Sequence, residues 1–193
     1  MFFALNMKKI VLVVCVALLS AFAFSKDKLV KVKLTKEITV RLPADFVPMT
    51  DDDLANKYFT YRKPTAMYTN PDRLVDFGLN ITETRWRQSD LALLQQFYKS
   101  GIAKMYTKVN FIQDTITTIN KRDYVVFEFV SELVDEDPNS MRKGSITKQY
   151  SYLQYTVKDH QVHVFNFTCP SQIRSKWQET AKEIMHTIKI NDK

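Results

Sequence analysis

Residues 111–133 read FIQDTITTINKRDYVVFEFVSEL, and residues 145–168 read SITKQYSYLQYTVKDHQVHVFNFT. Each stretch is a pair of apolar runs rich in β-branched and aromatic residues. A short polar break divides each pair, Asn120-Lys121-Arg122-Asp123 in the first and Lys158-Asp159-His160 in the second. Runs of this kind are strands, and a short polar break between two of them is a hairpin. Val125, Phe127 and Phe129 alternate with Val126, Glu128 and Val130, so this strand has one face for each side of a sheet. Two long hairpins in succession make that sheet mainly antiparallel.

Working outward, the same period of two recurs upstream. Val30, Val32 and Leu34 alternate with Lys31 and Lys33, and Ile38, Val40 and Leu42 with Thr39 and Arg41. Pro43 ends the second run, because proline cannot donate to a ladder. Phe46, Val47, Pro48 and Met49 read as an apolar plug, and Asp51-Asp52-Asp53 as a helix N-terminus, where acids suit the dipole. Tyr58 to Arg62 reads as a short strand. In the next strand Val75, Phe77, Leu79 and Ile81 face one way, and Asp76, Gly78, Asn80 and Thr82 the other. The period then changes to that of a helix. Ser89 or Asp90 caps a segment running to about Met105, with Leu91, Leu94, Tyr98, Ile102 and Met105 as its apolar stripe. A last helix opens at Pro170 or Ser171 and presents Ile173, Trp177, Ala181, Ile184 and Ile188. The fold class is therefore α+β, a mainly antiparallel sheet covered by two amphipathic helices in a layered sandwich.

The 193 residues suffice for one domain, and neither a repeat nor a Pro/Gly-rich linker divides residues 24 to 193. At 45% apolar and 25% charged residues the chain is neither disordered nor low-complexity. Its two cysteines exclude a disulfide-dense scaffold and a four-cysteine zinc site.

Residues 1–23 read as a secretory signal. Met7-Lys8-Lys9 is a short positive segment, Ile10 to Phe24 an apolar run broken only by Ser20, and Ala21-Phe22-Ala23 a small-residue cleavage site. A helix over that run is about 22 Å long at 1.5 Å per residue, too short for a ~30 Å hydrocarbon core. A cleaved signal is therefore preferred to a retained anchor, and Met7 is the better start. Cys15 does not read as a lipidation site, since Val14 before it is not small and the apolar run continues beyond it. Export places the mature protein in the periplasm or outside the cell, with Cys169 as its only cysteine and no internal disulfide. Removing two lysines lowers the net charge from +7 to 7 − 2 = +5. Cys169 reads as a buried apolar thiol at a strand end.

The order of these elements resembles a known group. Ile38-Thr-Val-Arg-Leu-Pro43 followed by Phe46, then a strand and the Leu91–Met105 helix, two long hairpins, and a closing Ile184-Met-His-Thr-Ile-Lys-Ile190 are similar to the PsbP-like superfamily. Its members include DcrB-like periplasmic proteins and the Ran-binding Mog proteins. The resemblance spans about residues 28 to 190 and rests on element order rather than on a diagnostic motif. It implies an α/β/α sandwich used for binding or assembly, without enzymatic activity, and it carries no catalytic residues over.

The residues themselves yield little chemistry. His160, His163 and His186 offer at most a two-histidine metal site completed by Asp159. The plainer expectation is a turn histidine and a strand-surface histidine. Asp135-Glu136-Asp137 fails as a calcium loop, because the sixth and twelfth positions are Ser140 and Ile146 rather than Gly and Glu. Gly78, Gly101 and Gly144 are isolated, which excludes a glycine-rich phosphate loop. No catalytic set, metal or cofactor is expected. The candidate ligand or partner surface is aromatic: Tyr150, Tyr152 and Tyr155 on one strand, Tyr58 and Tyr61 earlier, and Trp86. The alternative role for these aromatics is packing. Lys26, Lys28, Lys31 and Lys33 near the mature N-terminus and Arg174 and Lys176 in the last helix form a candidate basic patch, suited to an anionic membrane surface or an acidic partner. Nucleic acid is not an expected partner of an exported protein. The expected function is a non-enzymatic binding or assembly factor of the bacterial envelope, or alternatively a periplasmic module for a small ligand or lipid.

Overall fold

The computed structural model describes residues 28–58, 62–136, 141 and 143–191. The chain order is β1 (Leu29–Lys33), β2 (Ile38–Pro43), β3 (Val47–Pro48), α1 (Asp51–Lys57), β4 (Ala66–Thr69), β5 (Asp76–Glu83), α2 (Leu91–Met105), β6 (Lys108–Ile119), β7 (Arg122–Val134), β8 (Ile146–Lys158), β9 (Gln161–Pro170), α3 (Arg174–His186) and β10 (Lys189–Ile190). Short 3-10 turns at Gln88–Asp90 and Ser171–Ile173 lead into α2 and α3. The segment read as a signal, 1–23, lies outside the described residues. Among the described residues no helix is long and apolar enough to cross a membrane.

Both long hairpins close through two-residue turns of positive φ, at Asn120 and Lys121 (50° and 68°) and at Asp159 and His160 (50° and 57°). Such turns match the right-handed twist of the strands they join. They are tighter than the breaks read from the sequence. Arg122 and Asp123 are strand residues, paired with Ile119 and Thr118, and Lys158 pairs with Gln161. α1 begins with a capping box in addition to its acids. Thr50 Oγ1 accepts from Asp53 N–H at 3.1 Å, and Asp53 Oδ2 accepts from Thr50 N–H at 2.9 Å. Tyr58, read as the start of a strand, is instead the C-cap of α1. β3 and β4 are strands the sequence did not signal, being two and four residues long.

The described strands form a seven-stranded sheet in the order β3-β4-β5-β9-β8-β7-β6 and a three-stranded sheet in the order β1-β2-β10. The ladders are antiparallel, and their register stacks like parity against like parity. Phe77 faces Phe167, Phe167 faces Tyr152, and Tyr152 faces Glu128. Alternation then divides the core in two. On one side Phe77, Leu79, Tyr124, Val126, Tyr150, Tyr152, Phe165 and Phe167 pack with Trp177, Ala181, Ile184 and Met185 of α3 and with Ile38, Val40 and Leu42 of β2. On the other, Val125, Phe127, Phe129, Tyr155, Val157 and Val162 pack with Leu91, Leu94 and Ile102 of α2. The result is the expected α+β sandwich, with helices on both faces of a mainly antiparallel sheet.

The two faces are covered unequally, for a geometric reason. Seven strands about 4.8 Å apart span roughly 29 Å, whereas a helix with its side chains is about 10–12 Å across. The α3 face has a helix and a second sheet to cover it. The α2 face has one helix, packed against β6 and β7.

Candidate binding groove

The uncovered half of the α2 face is a groove of about 490 Å³. Its floor is the parity of β5, β9 and β8 that points away from α3: Asn80, then Val164, Asn166 and Thr168, then Gln149, Ser151 and Leu153. Met105 and Tyr106 at the end of α2, with Phe129 of β7, form one wall, and Tyr58, Arg62, Pro64 and Met67 form the other. Above the first wall the flank of α2 is apolar and unburied. Leu93 is 59% exposed, Phe97 62% and Met105 67%. They stand at i, i+4 and i+12, with Gly101 at i+8 open to solvent. Met105 was expected in the buried stripe. It is the last residue of the helix and stands beside the groove, which it lines with Tyr106 and Phe129.

Gly78 shapes the floor. A Cβ there would collide with Asn166 Oδ1 and Met67 Sδ, so only glycine lets the Asn166 carboxamide lie across β5. That buried Oδ1 receives no hydrogen bond among the described residues. Tyr58 is fixed at the groove's edge by Asp76, which is 1% exposed. Tyr58 OH donates to Asp76 Oδ2 at 2.5 Å, Thr69 Oγ1 donates to Oδ1 at 2.8 Å, and Lys57 Nζ stands 2.5 Å from Oδ2. Burial, and then the charge of Asp76, push the Tyr58 phenol far above its ordinary range, so it remains a hydrogen-bond donor. Beyond Tyr58 a second cavity of about 380 Å³ continues past Lys57, Arg73 and Lys148. Tyr58, Gln149 and Thr168 line both cavities.

The aromatic surface read from the sequence is redistributed. Tyr150 and Tyr152 are 0% and 1% exposed, inside the α3-face core, and Tyr155 is 5% exposed on the other face, stacked on Tyr98 with ring centroids 4.5 Å apart. These three are packing residues and not surface. A central strand of a two-sided sandwich has both parities covered, so its aromatics are the first to be buried. Among the described residues named in advance, Tyr58 alone lines the groove. Trp86 stands beside the start of α2, its ring 6.0 Å from Phe97. Tyr61 and Lys26 lie outside the described residues. Lys28, Lys31 and Lys33 are exposed, the last two on β1 at the edge of the small sheet. Arg174 Nε donates to Gln178 Oε1 at 3.0 Å, and Lys176 Nζ lies 5.5 Å from the Trp177 ring centroid. Asp76, Gly78, Asn80 and Asn166 were not singled out by sequence reasoning. Their signal was polar residues at the parity assigned to solvent, which is indistinguishable from an ordinary wet strand.

Among the described residues, Cys169 and His163 are both held away from the groove. Cys169 is 2% exposed at the end of β9, and burial, with some help from Asp76, pushes its thiol up to about 12. His163, expected on a strand surface, is 5% exposed on the α3 face, the side of the sheet away from the groove. Among the described residues no group of three or more His, Cys, Asp or Glu is placed to hold a metal ion. Among the described residues the groove offers hydroxyls, carboxamides, apolar walls and one charged side chain, Arg62.

No protein-family profile matches the sequence, and none of the curated proteins does. Solved structures do match. The cyanobacterial PsbP protein CyanoP of Synechocystis sp. PCC 6803 superposes with a TM-score of 0.59 at 8% identity, covering 88% of this chain and 96% of that one. LpqN of Mycobacterium tuberculosis, described as involved in cell envelope biogenesis, gives 0.54 at 12% identity over 86% and 91%. The Ran-binding protein Mog1p of Saccharomyces cerevisiae gives 0.52 at 12% identity over 86% and 97%. At these identities the likeness is one of fold. The chain has the sandwich shared by PsbP-like and Mog-like proteins, as the order of its elements had suggested.

Proposed function

We propose that this chain, a PsbP-like and Mog-like sandwich, is a non-enzymatic binding or assembly factor of the bacterial cell envelope that holds a partner protein in the groove beside α2. The observation that carries the reading is the half-covered sheet face. Leu93, Phe97 and Met105 are exposed along one flank of α2, and Met105 at its end lines a cavity of about 490 Å³. Exposed apolar side chains gathered at a concave site are a mark of binding surfaces. The signal-like segment at residues 1–23 supports the envelope location. LpqN, involved in cell envelope biogenesis, and Mog1p, a Ran-binding protein, are consistent with a binding role on this fold.

The test is site-specific photocrosslinking in the native cell, with the crosslinker at Asn80 in the groove and, as a control, at Lys33 on the small sheet. A discrete protein adduct from Asn80 and none from Lys33 is the expected result. Adducts from Lys33 alone would move the partner to the basic face formed with Lys28 and Lys31. A second reading, a small apolar or lipid ligand, is favoured by the size of the groove, which falls within the roughly 300–1,000 Å³ of small-molecule sites. It predicts a co-purifying molecule and no protein adduct.

A further inference from the structure

The polar groups on the groove floor are not scattered. Asn80 of β5 is level with Val164 of β9, and Asn166 is two residues further along β9. Thr168, with Ser151 paired to it on β8, is two residues beyond that, and Gln149 pairs with Pro170, two more. The series runs diagonally from β5 to β8, advancing two residues at each step. Two residues of strand are about 6.6 Å, which is also the distance between successive side chains on one side of an extended chain. Three steps from Asn80 to Gln149 advance about 20 Å along the strands and, with two strands crossed at about 4.8 Å each, make a diagonal of about 22 Å, the length of six to seven extended residues.

The chemistry of the series fits the same object. A carboxamide carries both a donor and an acceptor, the complement of a peptide group. Among the described residues no donor reaches the buried Asn166 Oδ1, which leaves it free to accept from an N–H of a bound segment. A helical partner satisfies its own backbone and has no use for such a row. Apolar side chains flank the diagonal on both sides, with Met67 on one and Leu153, Phe129 and Met105 on the other. Among the described residues Arg62 is the only charged residue lining this cavity, and Lys57, Arg73 and Lys148 belong to the adjoining cavity beyond Tyr58, so the stretch from Asn80 to Ser151 has no counterpart for a strongly charged segment.

We infer that the groove takes an extended, uncharged peptide segment of the partner, its main chain read by Asn80, Asn166 and Gln149 and its apolar side chains seated against Met67, Leu153 and Met105. The inference rests on the binding reading above and narrows it. Met67, a flexible thioether lying over Gly78 and Asn166, adjusts to the side chain that enters.

The experiment is selection of a phage-displayed random dodecapeptide library on the immobilised mature chain, followed by calorimetric titration of the enriched peptide. Expected are peptides rich in apolar residues with no net charge, bound about tenfold more weakly by Asn80→Leu and by Asn166→Leu, as loss of a main-chain contact implies. Lys36→Ala, at an exposed position between β1 and β2 of the small sheet, should leave binding unchanged. Because Asn166 is partly buried, Asn80→Leu at an exposed position keeps the test valid if the other variant folds poorly. The side-chain amide resonances of Asn80, Gln149 and Asn166 should shift on titration. No enrichment, enrichment of charged peptides, or binding indifferent to Asn80→Leu would each overturn the inference. A protein adduct from the Asn80 crosslink without peptide enrichment would sink the peptide inference and leave the binding reading standing. Absence of both would sink the two together.

Discussion

One sheet presents two faces here, and they differ in what closes them. The α3 face is sealed by a helix and a second sheet, so the central positions of that parity are buried, including groups that do not favour burial. Glu128 is 1% exposed there, accepting from Tyr150 OH at 3.1 Å and from Gln178 Nε2 at 2.5 Å. Gln154 is 0% exposed with neither amide atom bonded among the described residues. On the α2 face the same strands are covered at one end and open at the other. Along β8, Tyr155 is clamped under Tyr98, while Ser151 and Gln149 line the groove. Stability therefore concentrates on one face and surface available for binding on the other.

Four measurements would sharpen that contrast or break it. The largest effect belongs to the anchor of the sealed face. Trp177 is 5% exposed and packs near Phe46 and Phe167, so Trp177→Ala should cost about 3–5 kcal/mol in denaturant unfolding. A loss under about 1 kcal/mol would show that the α3 face is not the stabilising one.

The second effect has the opposite sign. Gln154→Leu replaces an unbonded buried carboxamide with an apolar group of similar size. It should raise stability by about 1 kcal/mol. Destabilisation of that size would mean the amide has a partner, such as an enclosed water.

The third is a pH dependence. Burial holds His163 below its ordinary pKa of 6.5; a hydrogen bond with the Gln161 backbone opposes it, the charges of Lys158 and Arg122 add to the lowering, and Asp159 raises it slightly. A depressed histidine is neutral in the folded state, and below pH 6.5 the unfolded chain binds the proton more readily. Stability should therefore be full above that pH and fall as pH drops from 6.5 toward the depressed folded value. His163→Gln should flatten this part of the pH profile, and an unchanged slope in the variant would assign it to other groups.

The smallest effect on stability lies on the open face. Phe97→Ser removes an exposed ring and should change stability by no more than about 0.5 kcal/mol, while lowering the yield of the Asn80 crosslink. A loss of stability approaching that of Trp177→Ala would erase the distinction between the faces.

Much of this was legible in the residues. Period-two alternation gave the hairpins their two faces, and the stripes of Leu91, Leu94 and Ile102 and of Trp177, Ala181 and Ile184 marked what each helix would bury. The short strands β3 and β4 were not legible, since two to four residues carry no period to detect. Nor was the groove. Asn80 and Asn166 alternate with apolar residues as solvated strand positions do, and Tyr150 and Tyr152 share the composition of a binding surface although they are core.

What the sequence determined by itself was local: which segments are strand or helix, and which side of each is apolar. Those properties follow from dihedral preference and side-chain period within a dozen residues. The tertiary structure alone decided that β5 and β9 lie side by side, that α3 shares its face with a small sheet, and that α2 has its face to itself. The physical reason is width. A helix of about 10–12 Å cannot cover a sheet of roughly 29 Å, and which strands it leaves bare depends on their order across the sheet, which no single segment encodes.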